Sequence, residues 1–205
     1  MTSSNQNGHD RMNRPEPDEE LMLMVREGTG EMLGVLFDRY QTRLYSFYTK
    51  LTGDRAASED LVQDVFLRIL KYRRSYRPGT PFRPWIYQIA RNARHDYAVK
   101  QRPHQDLETG AEMAAAPGVS HEANHQHELL HRALGALSEE KREILLLSRF
   151  QGLRCDEMAR IYGCQVGTMK VRIHRALEEL REAFRRLESG STAPSKRAAG
   201  ARNEL

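Results

Sequence analysis

Hydrophobic residues in the first half of the chain recur at helical rather than strand spacing. After Asp54, a residue type that often caps a helix, apolar side chains follow at i, i+1, i+4, i+5, i+8 and i+9. These positions are Leu61, Val62, Val65, Phe66, Ile69 and Leu70. The pattern predicts a long helix with a wide buried stripe, and it turns Asp60, Gln63, Asp64, Arg68 and Lys71 outward.

The same spacing predicts helices on both sides of this one. Residues 32–51 have the same character, through Leu36, Phe37, Tyr40, Leu44, Phe47 and Tyr48. Pro78, Gly79 and Pro81 interrupt the chain, and a further helix is predicted over residues 84–99, with Pro84 in its first turn.

Three more helices are predicted within about 60 residues of the second half. Ser138 is expected to cap the first, which ends near Gly152. The second covers residues 156–162 and is stopped by Gly163, a residue that suits a left-handed C-cap. The third covers residues 166–187 and buries Met169, Ile173, Ala176, Leu177 and Leu180. Because no segment alternates as a strand does, the sequence predicts an all-α fold of two small helical domains.

Charge divides the chain more sharply than its net value of +4 indicates. Residues 71–102 contain nine Lys and Arg and a single acidic residue, Asp96, whereas residues 103–131 contain five Asp and Glu and no Lys or Arg. We therefore predict domains at 18–102 and 128–188, joined by a flexible acidic linker at 103–127. The polar ends, 1–17 and 189–205, are predicted to be disordered.

Composition favours a globular protein with a polyanionic partner. The 205 residues are 39% hydrophobic and 29% charged, and the pI is about 9.2. No apolar run approaches the roughly 18 residues that a membrane span needs. The first 20 residues are polar and do not resemble a signal peptide, so we expect a cytoplasmic protein without a membrane partner.

The helix, glycine turn and helix at 153–187 have the pattern of a DNA-binding helix-turn-helix. With Met169, Ile173 and Ala176 facing inward, the outward face presents Thr168, Lys170, Val171, Arg172 and Arg175. Arginine can pair with a guanine edge and lysine with a phosphate. The alternative is a helical hairpin whose cations only solvate its surface.

The basic region 71–102 interleaves cations with aromatic residues, a mixture that suits single-stranded nucleic acid. The aromatics are Tyr72, Tyr76, Phe82, Trp85, Tyr87 and Tyr97. Trp85 shares a helix face with Ile89, so we expect it in the core. The basic residues have no acidic partners nearby in the sequence.

Three stretches resemble one family. They are residues 53–70 (GDRAASEDLVQDVFLRIL), residues 82–93 (FRPWIYQIARNA) and residues 137–180, which contain SEEKREILLLSRFQGL and GTMKVRIHRALEEL. Together they resemble the extracytoplasmic-function (ECF) sigma factors, the small two-domain promoter-specificity subunits of bacterial RNA polymerase. The resemblance covers nearly all of residues 18–188, in the same order and spacing.

The resemblance implies roles for residues of this chain. Asp60, Gln63 and Asp64 are similar to the family's contact with the clamp helices of the largest polymerase subunit. Asn92 and Asp96 match positions that handle the melted −10 strand, and residues 100–107 match a loop that captures a flipped base. The implied −10 set is Arg91, Asn92, Arg94, Asp96, Lys100 and Arg102. Thr168, Lys170, Val171, Arg172 and Arg175 match the helix that reads the −35 duplex.

The same resemblance implies partners and a function. They are core RNA polymerase, promoter DNA in duplex and single-stranded form, and an anti-sigma factor, with no cofactor and no enzymatic activity. The acidic linker resembles the connector that threads the polymerase's nucleic-acid channel. The alternative function is a conventional helix-turn-helix regulator that confers no specificity on core polymerase.

Several departures from the family pattern lie in the second domain. Arg154 stands where a capping Ser is common, and Gln165 where a Pro or Ser is usual. A lost cap costs about 1 kcal/mol, so we expect a less stable helix-turn-helix. Val171 replaces a frequent Ser on the DNA face, which leaves the base preference open.

The sequence gives little support for a metal site or for an enzymatic activity. His121 pairs with His125, and His127 with His131, at i, i+4 spacing. The two pairs point apart on one helix, so we predict no metal site. Cys155 and Cys164 are expected to be reduced thiols. No phosphate-binding loop, H-E-x-x-H or G-x-S-x-G motif is present.

Overall fold

A computed structural model describes residues 16–101 and 121–191 and, within these ranges, contains helices and turns but no strand. The predicted all-α fold is confirmed. Arg102, most of the predicted base-capturing loop and the predicted linker up to residue 120 lie outside the described residues. Residues 1–15 and 192–205 lie outside them as well.

The first domain consists of four α-helices and one short 3₁₀ turn. They are α1 (Asp18–Glu27), α2 (Glu31–Thr52), α3 (Arg55–Tyr72), the 3₁₀ turn Arg73–Ser75 and α4 (Phe82–Gln101). The predictions for 32–51, for the helix after Asp54 and for 84–99 are confirmed within two residues at each end. Helix α1 is not among the predicted elements.

The turn between α2 and α3 follows from two adjacent residues. Gly53 has a φ of 77°, a left-handed conformation that ends α2. The carboxylate of Asp54 then accepts a hydrogen bond from the backbone N–H of Ala57 at 3.1 Å and caps α3, as predicted. The two helices therefore pack side by side.

The predicted apolar stripe of α3 forms the centre of the first domain, with one error. Leu61, Val65 and Ile69 are almost fully buried, but Leu70 is 41% exposed. Leu70 lies at the C-terminal end of α3 and is rotated about 100° from Ile69, which carries it past the edge of the packed face. Trp85 packs on the core with its ring centroid 5.0 Å from that of Tyr76, as expected.

Within the described residues, the second domain consists of four α-helices and one π-helical turn. It contains α5 (His121–Gly135), α6 (Glu139–Leu145), a π-helical turn (Leu146–Phe150), α7 (Cys155–Ile161) and α8 (Val166–Ser191). Helix α5 thus starts inside the predicted linker, and its residues Leu129, Ala133 and Leu134 bury an apolar stripe that packs along α8. Helix α8 also runs into the segment predicted to be disordered.

Ser138 occupies the predicted cap position but does not cap through its side chain. Its backbone carbonyl accepts from the N–H of Arg142 at 3.0 Å. The Arg142 guanidinium holds the turn before α6 by donating to the carbonyls of Leu134, Gly135 and Leu137. These bonds satisfy carbonyl groups at and after the C-terminal end of α5 and join α5 to α6.

The two domains are packed against each other. Helix α4 contacts α7, and α2 contacts both α6 and the π-helical turn. One continuous cluster of buried apolar residues includes Phe47 and Tyr87 of the first domain and Leu147 and Met158 of the second. Across the described ranges, no helix is both long and apolar enough to span a membrane.

Replacing Leu44 by alanine is expected to lower the free energy of unfolding by about 2–5 kcal/mol, because the side chain is fully buried and its loss leaves a cavity. Leu67→Ala is the matched control, since Leu67 is 66% exposed, and its effect should stay below about 0.5 kcal/mol. Urea titration followed by circular dichroism measures both. Equal losses would contradict this assignment of core and surface.

Candidate nucleic-acid and polymerase interfaces

Helices α7 and α8 form the predicted helix-turn-helix. Gly163 has a φ of 60° and ends α7, and the N–H of Cys164 donates to the carbonyl of Ala159 at 3.0 Å. Met169, Ile173 and Ala176 are buried on the inner side of α8. The five residues predicted to face outward are all exposed: Thr168, Lys170, Val171, Arg172 and Arg175.

Most of the charge on this outer face is available to a ligand. Arg172 lies 3.3 Å from Glu140, and both side chains are largely exposed. Such a pair contributes little free energy and can be exchanged for a phosphate contact. Lys170 and Arg175 have no ion pair among the described residues. The face therefore presents three cations beside the apolar surface of Val171.

The missing serine cap of α7 is partly compensated. The carboxylate of Glu157 accepts a hydrogen bond from the backbone N–H of Arg154 at 2.7 Å, which is one half of a capping box. The other half is lacking because a guanidinium has no acceptor atom. Cys155 and Cys164 are half-buried free thiols.

Helix α4 carries the predicted −10 residues on two different sides. Asn92, Asp96 and Lys100 are exposed. Arg91 and Arg94 instead face the second domain, where Arg91 Nε lies 3.0 Å from Glu143 Oε1 and Arg94 Nη2 lies 2.9 Å from Glu139 Oε1. The sequence places no acidic partner near these two arginines. In the folded chain, α6 supplies one carboxylate for each of them.

Glu143 is the most perturbed carboxyl of this contact. Its side chain is only 12% exposed. Burial raises the pKa of Glu143, and the guanidinium of Arg91 opposes that rise. The same guanidinium stacks on the ring of Tyr162, 4.3 Å from its centroid. Burial, together with the nearby carboxylate of Glu143, raises the pKa of the Tyr162 hydroxyl.

Arg68 joins the outer face of α3 to the exposed side of α4. Its Nε donates to Asp64 at 2.9 Å, and its Nη1 donates to Asp96 of α4 at 2.7 Å. The hydrogen bond from Arg68 holds the pKa of Asp96 below its usual value. The sequence predicts that Arg68 faces outward but assigns it no role. Its i, i+4 spacing from Asp64 indicates the first of these two hydrogen bonds.

The outer face of α3 combines charge with an exposed apolar residue. Asp60 and Gln63 are exposed and Asp64 is half-buried. Leu67 lies seven residues after Asp60, on the same side of the helix. The sequence analysis does not single out Leu67, because a single exposed apolar residue is common on protein surfaces.

The predicted absence of a metal site concerns residues that are only partly described. The side chains of His121 and His127 lie outside the described set. Among the side chains that are described, no three His, Cys, Asp or Glu residues are grouped as a metal site requires.

Comparison with known proteins identifies the family to which the chain belongs. Sigma-70 region 2 matches residues 36–104, and Sigma-70 region 4 matches residues 127–180. RNA polymerase sigma factor CarQ of Myxococcus xanthus is 34% identical over 172 residues, which are 82% of this chain and 97% of CarQ. The chain belongs to the ECF sigma factors of RNA polymerase.

Further relatives agree with this assignment. The ECF sigma factor EcfG of Rhodopseudomonas palustris is 33% identical over 67% of this chain and 76% of its own length. The sigma factor RpoE of Bartonella quintana, solved in complex with the anti-sigma factor NepR, is 27% identical. It superposes with a TM-score of 0.62, over 74% of this chain and 96% of RpoE.

As an ECF sigma factor, the chain binds core RNA polymerase and promoter DNA and directs promoter-specific transcription initiation. Sigma factors are non-enzymatic initiation factors. The conventional regulator is not favoured, because the region 2 match accounts for the first domain, which such a regulator would not need.

Replacing Arg68 by methionine is expected to raise the pKa of Asp96 toward its ordinary value, because the guanidinium that stabilises the carboxylate is removed. An NMR pH titration of the Asp96 side-chain carboxyl carbon measures this. Arg73→Met is the control, since Arg73 donates to the carbonyl of Leu70 rather than to a carboxylate. The bridge would be excluded by an Asp96 pKa that is unchanged in the Arg68 variant.

Proposed function

We propose that three surfaces of this sigma factor have separate binding roles. The outer face of α3 binds the clamp helices of the largest polymerase subunit, α4 handles the melted −10 strand, and the outer face of α8 reads the −35 duplex. The observation that carries the proposal is the outer face of α8, where Lys170 and Arg175 are exposed without a carboxylate partner among the described residues.

The −35 role follows from the chemistry of the α8 face. A helix fits the major groove of B-form DNA, and arginine pairs there with two acceptors of guanine. Arg172 and Arg175 supply that donor pattern, Lys170 and Thr168 suit phosphates, and Val171 suits the methyl group of thymine. The apolar inner side of α8 anchors the helix while the outer side enters the groove.

The −10 role rests on the cations of α4 together with one amide and one carboxylate. Asn92 and Asp96 are exposed one helical turn apart and can bond to the edges of unpaired bases. Arg91, Arg94 and Lys100 supply charge for the phosphates of the same strand. Arg102 is proposed to continue this surface, although it lies outside the described residues.

The polymerase role rests on the polar face of α3. Asp60, Gln63 and Asp64 offer two carboxylates and an amide to a basic partner helix, and Leu67 adds an apolar contact beside them. Arg68 holds Asp64 in place and at the same time bonds to Asp96. Polymerase binding is therefore coupled to the proposed −10 surface through one side chain.

Three further properties are proposed by analogy with the family. An anti-sigma factor is expected to hold the protein, as NepR does with the RpoE of Bartonella quintana. The protein is expected to act in the cytoplasm, where the polymerase is. It is expected to have no enzymatic activity of its own.

Reversing the charge of Asp60 is expected to weaken binding to core polymerase about tenfold or more, because like charges then meet across the interface. Asp60 has no ion pair among the described residues, so Asp60→Arg tests the surface without breaking the Arg68 bridge. A core pull-down and run-off transcription measure the effect. Glu20→Arg, an exposed reversal on α1, is the control. Wild-type core binding by Asp60→Arg would refute the proposed surface.

Removing Lys170 and Arg175 together should weaken holoenzyme binding to the −35 duplex. The slope of log K against log salt should fall by about 1 for each phosphate that the variant no longer neutralises. The control is Arg181→Ala with Arg185→Ala, further along α8. Sequencing the transcripts that rise on overexpression supplies the promoters. The α8 assignment fails if both pairs of substitutions have the same effect.

A further inference from the structure

The end of α3 and the turn that follows it carry positive charge that none of the three proposed surfaces uses. From residue 65 to residue 95 the sequence contains no Asp or Glu. Three cations and one aromatic ring of this segment are exposed, and the cations have no ion pair among the described residues. These four side chains, called the basic turn below, are Lys71, Tyr72, Arg74 and Arg77. Cations beside an exposed ring suit a nucleic-acid backbone.

The turn is closed by its own hydrogen bonds. The hydroxyl of Tyr76 donates to the carbonyl of Thr80, and the N–H of Thr80 donates to the carbonyl of Arg77 at 3.1 Å. The Tyr76 side chain is buried, and its ring packs against those of Phe82 and Trp85, with centroid distances of 6.2 and 5.0 Å. The turn therefore has a defined shape that one buried aromatic side chain anchors to the core.

Helix α1 holds this turn at two points from a distant part of the chain. Near the C-terminal end of α1, Arg26 Nη1 donates to the carbonyl of Tyr76 at 3.2 Å. Near its N-terminal end, Glu19 Oε1 accepts a hydrogen bond at 3.0 Å from the backbone N–H of Phe82, the first residue of α4. The two bonds span 50 and 63 residues of sequence. Together they fix the segment between residues 76 and 82.

The bond from Phe82 to Glu19 replaces a cap that α4 lacks locally. Pro81 precedes the helix and Pro84 lies in its first turn, and proline has no backbone N–H. The N–H groups of Phe82 and Arg83 are therefore the ones left to satisfy in this turn. A carboxylate at this end of a helix also interacts favourably with the helix dipole. Glu19 thus fixes the place where α4 begins.

Helix α1 is itself attached to the centre of the domain. Its apolar side lies in the core. Asp18 accepts hydrogen bonds from Arg39 at 2.6 Å and from the hydroxyl of Tyr40 at 2.5 Å, and both donors belong to α2. The ring of Tyr40 packs against that of Phe82, with centroids 5.3 Å apart. Helix α1 therefore connects the rigid part of the domain to the basic turn and to the start of α4.

We propose that the basic turn binds the phosphate backbone of promoter DNA beside α4, and that Glu19 and Arg26 are the positioning residues that hold it in place. Cations that are already ordered lose less conformational freedom on binding than mobile ones do. Helix α4 has 20 residues and is about 30 Å long. DNA that lies along α4 and reaches Lys100 at one end therefore meets the basic turn at the other. The inference deepens the proposed −10 role of α4 and rests on it.

The first test removes two cations of the turn. Arg74→Ala with Arg77→Ala should weaken binding of the holoenzyme to a fluorescent promoter duplex about tenfold, because two phosphate contacts are lost. The slope of log K against log salt should fall by about 2. Arg132→Ala with Arg181→Ala is the matched control, since it removes two exposed cations from the second domain. Equal slopes for the two pairs overturn the basic turn as a phosphate site.

The second test addresses the positioning residues. Glu19→Ala and Arg26→Met should each weaken promoter binding about three- to tenfold, because the turn loses its fixed geometry. Binding to core polymerase in a pull-down should change less than about twofold. With Arg74 and Arg77 already replaced by alanine, Glu19→Ala should cause no further loss, since residues that act through the same contact are not additive. Glu20→Ala, at an exposed position of α1, is the control.

A conservative variant separates capping from damage to the fold. Glu19→Gln keeps an acceptor oxygen at the same place and should bind the promoter duplex within about twofold of wild type. Circular dichroism confirms that each variant is folded. Unchanged promoter binding by Glu19→Ala and Arg26→Met overturns the positioning role. The same loss with and without the turn cations also overturns it, as does an equal loss of core binding.

Failure of the proposed −10 role gives a different pattern. In that case Asn92→Ala with Lys100→Ala would leave promoter binding by the holoenzyme unchanged, whereas Arg74→Ala with Arg77→Ala would still weaken it. Failure of the basic turn alone gives the reverse result.

Discussion

A guanidinium that leaves water needs a counter-charge, and Arg91 and Arg94 obtain theirs from Glu143 and Glu139 of α6. This pairing lies beside the apolar cluster that the two domains share, and it places α6 against the basic side of α4. The stacking of Arg91 on Tyr162 and the bond from Tyr87 to Gln151 follow from the same approach. A face suited to DNA is thus also a face suited to a carboxylate-bearing helix.

Inside the first domain a second arginine has a comparable position. Arg68 lies between the carboxylate of Asp64, on the face proposed for polymerase, and that of Asp96, on the face proposed for the −10 strand. Both surfaces are therefore electrostatically linked before any partner arrives. Apolar packing of α2, α3 and α4 provides the rigid support for this link, since Leu44, Val65 and Ile86 are fully buried.

Much of the fold could be predicted from periodicity, because each domain buries a continuous stripe of one helix against its neighbour. The stripe Leu61 to Ile69 and the inner side of α8 are examples. Errors occurred where packing rather than periodicity decides. The His-rich start of α5 reads as linker in sequence, yet Leu129 and Ala133 attach this helix to α8. Leu70 belongs to the stripe by spacing but lies beyond the packed face.

For the candidate site, residue spacing alone predicts which side chains face outward on α3 and α8, because the faces of a helix follow directly from that spacing. Resemblance to sigma factors attached functions to those faces. The folded chain adds the carboxylate partners of Arg91 and Arg94, the place of Arg68 between two surfaces, and the contact between the two domains. Each of these depends on carboxylates that are distant in the chain, and spacing along one helix carries no information about them.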